Sequence, residues 1–274
     1  MEKADMTTSA LTLGRVLIIA GSDSGGGAGI QADLKTVMAL GGYGTTAITA
    51  VTVQNTLGVT GVHPIPLDIV QAQARAVLGD IGADAIKTGM LGDVAMVETV
   101  AALLDEAAAI PAVIDPVMVA KGGAPLLAEV AISAVRSLMA PRAALLTPNA
   151  PEAAALTGLT VETLDDQRRA GEALLRLGAR AVLMKGGHVS GERVVDLLIT
   201  PAGETVFETD RQATRHTHGT GCTLASACAT GLAQGLDLST AVAQAWAYVQ
   251  EALASAPGLG QGHGPLDHGW PLTR

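Results

Sequence analysis

The hexapeptide Thr217-His218-Gly219-Thr220-Gly221-Cys222 holds the residue types that manage a transferable negative charge. Gly219 and Gly221, one residue apart, let successive backbone N–H groups converge on one cavity, and the run Thr223 to Leu236 that follows has helical composition, which adds the positive end of a helix dipole. Such a place binds anions. Cys222 falls in the first turn of that helix, where the same field is expected to lower the thiol pKa and favour thiolate, a candidate base beside a phosphate cradle. An ordinary glycine loop with a small buried cysteine would carry the same six residues, so the rest of the chain has to decide.

Further polar groups follow short apolar runs: Gln54-Asn55, Asp115-Pro116, Thr147-Pro148-Asn149 and Lys185-Gly186-Gly187, with Glu152 opening the next helix. A lysine neutralises phosphate charge, and acidic side chains near phosphates hold Mg²⁺ through water because that ion keeps part of its hydration. Asp115 and Glu152 are the candidates for that role. With the glycine loops they describe phosphoryl transfer, which needs positioning and charge neutralisation. Singly, Asp115 could shape a turn, Glu152 could be a helix N-terminal charge and Lys185 a solvated loop residue. The Gln54 amide offers a donor and an acceptor, which suits a heteroaromatic ring with an amino group beside a ring nitrogen, or it satisfies its own loop.

The elements that must position these groups alternate. Arg15 to Ala20, Thr45 to Val53, Ala83 to Thr88, Ala112 to Ile114, Ala143 to Leu146 and Ala181 to Met184 read as strands. Helices are expected at Ile30 to Leu40 (apolar face Ile30, Leu34, Val37 and Met38, with Asp33 off it), Leu67 to Leu78, Val94 to Ala108, Leu126 to Met139, from Glu152, Asp165 to Leu177 and Ser239 to Ala254. This is the βαβ pattern of an α/β fold with a mainly parallel sheet, in which ligands sit beyond the carboxyl ends of the strands. All six polar clusters, Gly21-Ser22-Asp23 and Gly89-Met90 included, should then share one sheet edge. Gly191 to Thr200 and Glu204 to Glu208 read as a hairpin, Val59 to Pro66 as a connecting stretch, and the glycine-rich tail around Gly258 to Pro265 as a surface loop.

The first glycine loop fits neither common nucleotide fingerprint. Gly21-x4-Gly26 lacks the P-loop lysine, and Gly27-x-Gly29-x-x-Ala32 has no acidic residue at the end of the next strand to bind a ribose. At 274 residues and 49% hydrophobic content, one domain over 15–274 is expected, after a frayed tail at 1–14. That tail carries Glu2, Lys3 and Asp5 and no apolar core, so it does not read as a signal peptide, and the chain is expected to be cytoplasmic. A net charge of −9 argues against nucleic acid or an anionic membrane as partner. Cys222 and Cys228, six apart on one helix, are poorly spaced for a disulfide, and Cys228 reads as core.

The segments AGSDSGGGAGIQADLKT (Ala20 to Thr36), VQNT (Val53 to Thr56), KTGML (Lys87 to Leu91), DPVM (Asp115 to Met118), TPNAPEA (Thr147 to Ala153), VLMKGGH (Val182 to His188) and THGTGCTL (Thr217 to Leu224) together resemble the bacterial hydroxymethylpyrimidine/phosphomethylpyrimidine kinases of thiamin biosynthesis, in the ribokinase-like superfamily. The resemblance runs from Val16 to about Pro265. It implies a three-layer α/β/α ribokinase-like fold with a central mostly parallel sheet, ATP and Mg²⁺ as cosubstrates, and a homodimer. It also implies that Gln54 binds the aminopyrimidine, with Asp33, Gly21, Met90 and Val117 lining its pocket. The nucleotide side would take Asn149, Glu152, Lys185 and the loop from Thr217 through Gly219 to Gly221, with Gly219, Thr220, Gly221, Lys185 and Cys222 as the catalytic set. Many sugar kinases of the superfamily carry aspartate where this chain has Cys222, which favours the pyrimidine branch and leaves pyridoxal kinase as the alternative.

Overall fold

The computed structural model describes residues 13–119, 123, 126–189 and 191–272. The tail expected at 1–14 therefore lies outside the described residues except for Leu13 and Gly14, and Gly14 already joins the fold through its carbonyl, which accepts from Tyr43 N at 2.9 Å.

Nine strands form one sheet in the order β3-β2-β1-β4-β5-β6-β7-β8-β9. The parallel strands are β1 (Arg15–Asp23), β2 (Tyr43–Asn55), β4 (Ala85–Thr88), β5 (Ala112–Ile114), β6 (Leu145–Leu146) and β7 (Val182–Met184). Antiparallel β3 (Gly58–Pro64) borders β2, and the hairpin β8 (Arg193–Thr200) and β9 (Gly203–Asp210) closes the other side. β1 shows why the inner strands read as unbroken apolar runs. Val16 and Ile18 pack into one helical layer and Leu17 and Ile19 into the other, so both faces are buried. One layer is α1 (Gly29–Ala39), α7 (Thr220–Ala233) and α8 (Leu238–Ala254). The other holds α2 (Leu67–Asp80), α3 (Val94–Glu106), α4 (Ala131–Ala134), α5 (Ala150–Thr157) and α6 (Leu164–Arg176). This is the expected three-layer arrangement.

Three local expectations are corrected, and the surface loop expected at the tail is found, with anchors the spacing did not indicate. Val59 to Pro64 is not a mere connection, because its backbone pairs with β2 from Ala50 to Asn55. The helix expected from Leu126 begins only at Ala131 and continues as a π-helical turn, Val135–Met139, since Leu126 and Leu127 instead donate to Met118 O at 2.8 and 3.1 Å. Met38 is 61% exposed, whereas Asp33 and Thr36 turn inward with Val37 toward α7. The glycine-rich tail is an anchored loop. A Cβ at Gly262 would lie 2.0 Å from Thr56 O, and one at Gly264 2.3 Å from the His216 ring, so the chain straps the β2–β3 turn to the segment before α7. His263 N donates to Thr56 O at 2.8 Å and His218 N to Gly264 O at 3.1 Å, and Leu266 beyond is buried.

Candidate active site

The carboxyl ends of the parallel strands bring both glycine loops to one place. β1 and β2 slip register between Ala20 and Ser22, a bulge of the kind that re-aims a strand end. Beyond it the Asp23 carboxylate accepts from Gly25 N at 2.7 Å, Gly27 N at 3.1 Å and Ala28 N at 2.8 Å, which shapes the loop that enters α1. Burial would raise the Asp23 pKa, but the bonds from His218 and the loop amides hold it below the ordinary aspartate range. The second loop lies directly on the first: Gly219 has φ +83° and a Cβ there would sit 1.8 Å from Gly27 O. Only glycine permits that approach.

Gly219 is the N-cap of α7, and no side chain caps this helix. Its first-turn amides therefore face the strand ends, where Lys185 and Asp115 converge on them. A Cβ at Gly221 would lie 3.0 Å from Lys185 Nζ and 3.6 Å from Asp115 Oδ2. Lys185 is held at 3.0 Å from Asp115 Oδ1 and 3.7 Å from Glu152 Oε2, and Thr147 Oγ1 donates to Asp115 Oδ1 at 3.2 Å. It is thus no solvated loop residue: burial works against its charge, but the two carboxylates raise its pKa above the lysine range. Its loop is fastened where Gly186 N donates to Asp196 Oδ1 at 2.6 Å. Asn149 and Glu152 form a reciprocal capping box on α5, at 2.8 and 2.9 Å. Burial and Asp115 together outweigh Lys185 and push the Glu152 carboxyl up to about 7.

The expectation for Cys222 is corrected. The thiol does sit in the first turn of α7, but burial pushes it up to about 11, and Asp33 and Asp115 add to the rise against the opposing pull of Lys87 and the Gly29 amide. The local field of one helix end is smaller than the loss of solvent around a thiolate. Cys228 is wholly buried, as expected of core.

Near the carboxyl ends of β1 and β4, Gly21 touches Met90, since a Cβ at Gly21 would meet Met90 Cε at 2.6 Å. Thr49 Oγ1 donates to Met90 O at 2.7 Å and fixes that turn, while Val117 N donates to Asp115 O at 2.8 Å. Gln54, one residue before the end of β2, holds its amide beside Thr52 and His218. Asp33 lies beneath rather than at the surface. Its carboxylate is fully buried, accepts from Lys87 at 2.8 and 2.9 Å and takes a further bond from Ser226 Oγ at 2.7 Å. Lys87 and Ser226 are the members of this network that spacing alone did not single out, and the Asp23–His218 pair joins two loops whose spacing had given those two residues no role. Lys87 had left one signal, a charge inside a short apolar strand that can be buried only if paired.

The chain also compares closely with known proteins. The pattern of the phosphomethylpyrimidine kinase family matches residues 23–267. The hydroxymethylpyrimidine/phosphomethylpyrimidine kinase of Streptomyces coelicolor is 52% identical over 94% of this chain and 95% of its own length. Among solved structures, the ADP complex of Bacillus subtilis pyridoxal kinase superposes with a TM-score of 0.89 at 37% identity, covering 96% of this chain and 100% of that one. The phosphomethylpyrimidine kinase of Clostridium difficile superposes with a TM-score of 0.78 at 41% identity, over 87% of this chain and 98% of that one. Backbone likeness therefore spans both vitamin kinases, while the family match and the sequence identity fall on the pyrimidine branch. With its ribokinase-like fold, this chain belongs to the phosphomethylpyrimidine kinase family.

Proposed function

We propose that this chain uses ATP to phosphorylate 4-amino-5-hydroxymethyl-2-methylpyrimidine and then phosphorylates the monophosphate to the diphosphate, the pyrimidine precursor of thiamin diphosphate. The observation that carries the reading is the meeting of Lys185, Asp115 and the uncapped start of α7 at Gly221, across the Gly27–Gly219 contact from Gln54.

The amides of Gly219, Thr220 and Gly221 with Lys185 stabilise the transferring phosphoryl group, and the room left by the missing Gly221 Cβ is where its oxygens fit. Thr217, Asn149, Glu152 and Lys185 lie on the nucleotide side. A cleft of about 540 Å³ flanks α5, lined by Pro151, Gly158, Val161 and His188 among others. Among the described residues no group of three or more His, Cys, Asp or Glu could cage a metal, so a Mg²⁺ carried by the nucleotide would be held through its own water by Asp115 and Glu152. When bound, that ion neutralises phosphate charge. Gln54 reads the amino-pyrimidine edge, Gly21, Met90 and Val117 shape the ring pocket, and Asp33 supports it from below. In the first transfer the thiolate form of Cys222 takes the hydroxymethyl proton as that oxygen bonds to the terminal phosphorus of ATP and the bond to the leaving ADP breaks. In the second the nucleophile is an already ionised phosphate oxygen. We infer a homodimer, which sedimentation of the purified chain reads. Among the described residues no helix is long and apolar enough to cross a membrane.

The test is ATP turnover over pyrimidine and pyridine alcohols, with Gln54→Ala beside the wild type. Losing one member of a buried hydrogen-bonded pair costs about 1 to 3 kcal/mol, so kcat/KM for the pyrimidine should fall roughly ten- to hundredfold with the KM for ATP little changed. Turnover of pyridoxal and not of the pyrimidine would overturn the reading in favour of a pyridoxal kinase.

A further inference from the structure

The two ends of the Gln54 amide face neighbours whose other bonds decide which way round it lies. Its Nε2 position is 3.3 Å from His218 Nε2 and its Oε1 position 3.0 Å from Thr52 Oγ1. His218 Nε2 is also 2.8 Å from Asp23 Oδ2, and that carboxylate is already ringed by the amides of Gly25, Gly27 and Ala28. A carboxylate only accepts, so His218 Nε2 carries a hydrogen whether the ring is neutral or cationic. The ring is wedged as well, because a Cβ on Gly27 would meet His218 Cδ2 at 2.6 Å. On the other side Thr52 Oγ1 lies 2.8 Å from Ser22 O, a carbonyl that takes the single hydroxyl hydrogen and leaves Thr52 only lone pairs to offer Gln54.

An amide nitrogen toward His218 sets donor against donor, and an amide oxygen toward Thr52 sets acceptor against acceptor. A half-turn of the amide exchanges two atoms of nearly equal size, lets its nitrogen donate to Thr52, and places its oxygen where the one His218 Nε2 hydrogen is shared between it and Asp23 Oδ2 in a three-centre bond. We infer that the Asp23–His218 pair, with Thr52 opposite, locks the Gln54 amide with its oxygen toward His218 and its nitrogen toward Thr52. The lock sets the order in which one free carbonyl lone pair and one free N–H face the bound ring.

This inference rests on the proposed role of Gln54 as ring reader and adds what gives that reader its selectivity. An unlocked glutamine can flip to match either an amino group beside a ring nitrogen or the reverse pattern of a ring carbonyl beside a ring N–H. A locked one accepts the first and opposes the second at both atoms. Asp23 and His218 are thus positioning residues for specificity.

The experiment measures the ratio of kcat/KM for the 4-amino substrate to that for its 4-oxo analogue, a ratio that cancels any general loss in the phosphate loop. His218→Phe keeps the ring shape and removes the donor, and should lower the ratio about ten- to hundredfold. His218→Gln, which restores an N–H close to the Nε2 position, should hold the ratio near that of the wild type. ¹⁵N NMR of the unaltered enzyme should show His218 Nε2 protonated, a readout independent of whether either variant folds. An unprotonated Nε2, or an unchanged ratio in His218→Phe while Gln54→Ala abolishes the discrimination, would overturn the lock and leave the functional reading standing. No turnover of either ring by the wild type would overturn the functional reading and the lock with it.

Discussion

The Lys87 ammonium lies 2.8 and 2.9 Å from the two carboxylate oxygens of Asp33, with both side chains at zero exposure. The pair joins β4 to α1. Ser226 Oγ, which also donates to Asp33, brings in α7 one turn below Cys222. Burial alone would push the lysine pKa down, but Asp33, with Cys222 and Asp115 beyond it, holds it above the ordinary range, so the ammonium keeps its charge, while burial draws the Asp33 carboxyl upward against the pull of Lys87 and Ser226.

Removing one partner leaves a buried charge uncompensated. Lys87→Met should destabilise the protein by roughly 3 to 5 kcal/mol in denaturant melts, and Lys87→Met with Asp33→Asn should recover a large part of that loss. Equal stability of the single and double variants would show that the charge on Asp33 does not matter.

Gly221 is helical and needs no unusual backbone angles, so its importance is tested by volume alone. Gly221→Val places atoms against Lys185 and Asp115 and should lower turnover by at least about 10²-fold while circular dichroism and melting stay close to wild type. Retained turnover would locate the transferring phosphate elsewhere.

For Cys222, a thiol pushed up to about 11 is almost wholly protonated at neutral pH. A step that uses its thiolate should accelerate roughly tenfold per unit between about pH 7 and 10. The second transfer should be flat over that span, because a phosphate monoester is fully ionised above its second pKa of about 6. Cys222→Ala should depress the first transfer by about 10² to 10⁴ and spare much of the second. Equal losses in both steps would make Cys222 a shaping residue of the anion loop.

Glu152 offers a pH test of stability. Its folded pKa of about 7 lies above the unfolded value of 4.5, so the native state keeps a proton that the unfolded chain releases. That stabilisation is complete below about pH 4.5 and is lost as pH rises to about 7. Glu152→Gln, which can still close the capping box, should remove this part of the slope when melting curves of the two proteins are subtracted. An identical pH dependence would place the titration elsewhere.

The convergence of the Gly219–Gly221 loop with Lys185, Asp115 and Glu152 was legible because its signals are local: glycine spacing before a helix, and polar residues directly after apolar runs. The layering followed for the same reason, from Val16 to Ile19 alternating between two cores within one continuous run. What stayed hidden depends on partners far along the chain. Asp33 reads only as a residue off the apolar face of its helix until Lys87, 54 residues on, arrives beside it. The helix end at Cys222 points to an acidic thiol, and only the packing of α1 and β4 around it reverses the sign. β3 escaped notice because Gly58, Gly61 and Pro64 dilute its pattern, and its order comes from pairing with β2.

The strap from Gly258 to Leu266 has a consequence for the order of assembly. Among the described residues every strand and all eight α helices precede it in the chain, yet the amides of His263 and His218 join it to Thr56 and to the loop before α7. On the ribosome, therefore, both helical layers can close around the sheet while the β2–β3 turn and the loop before α7 still lack this support.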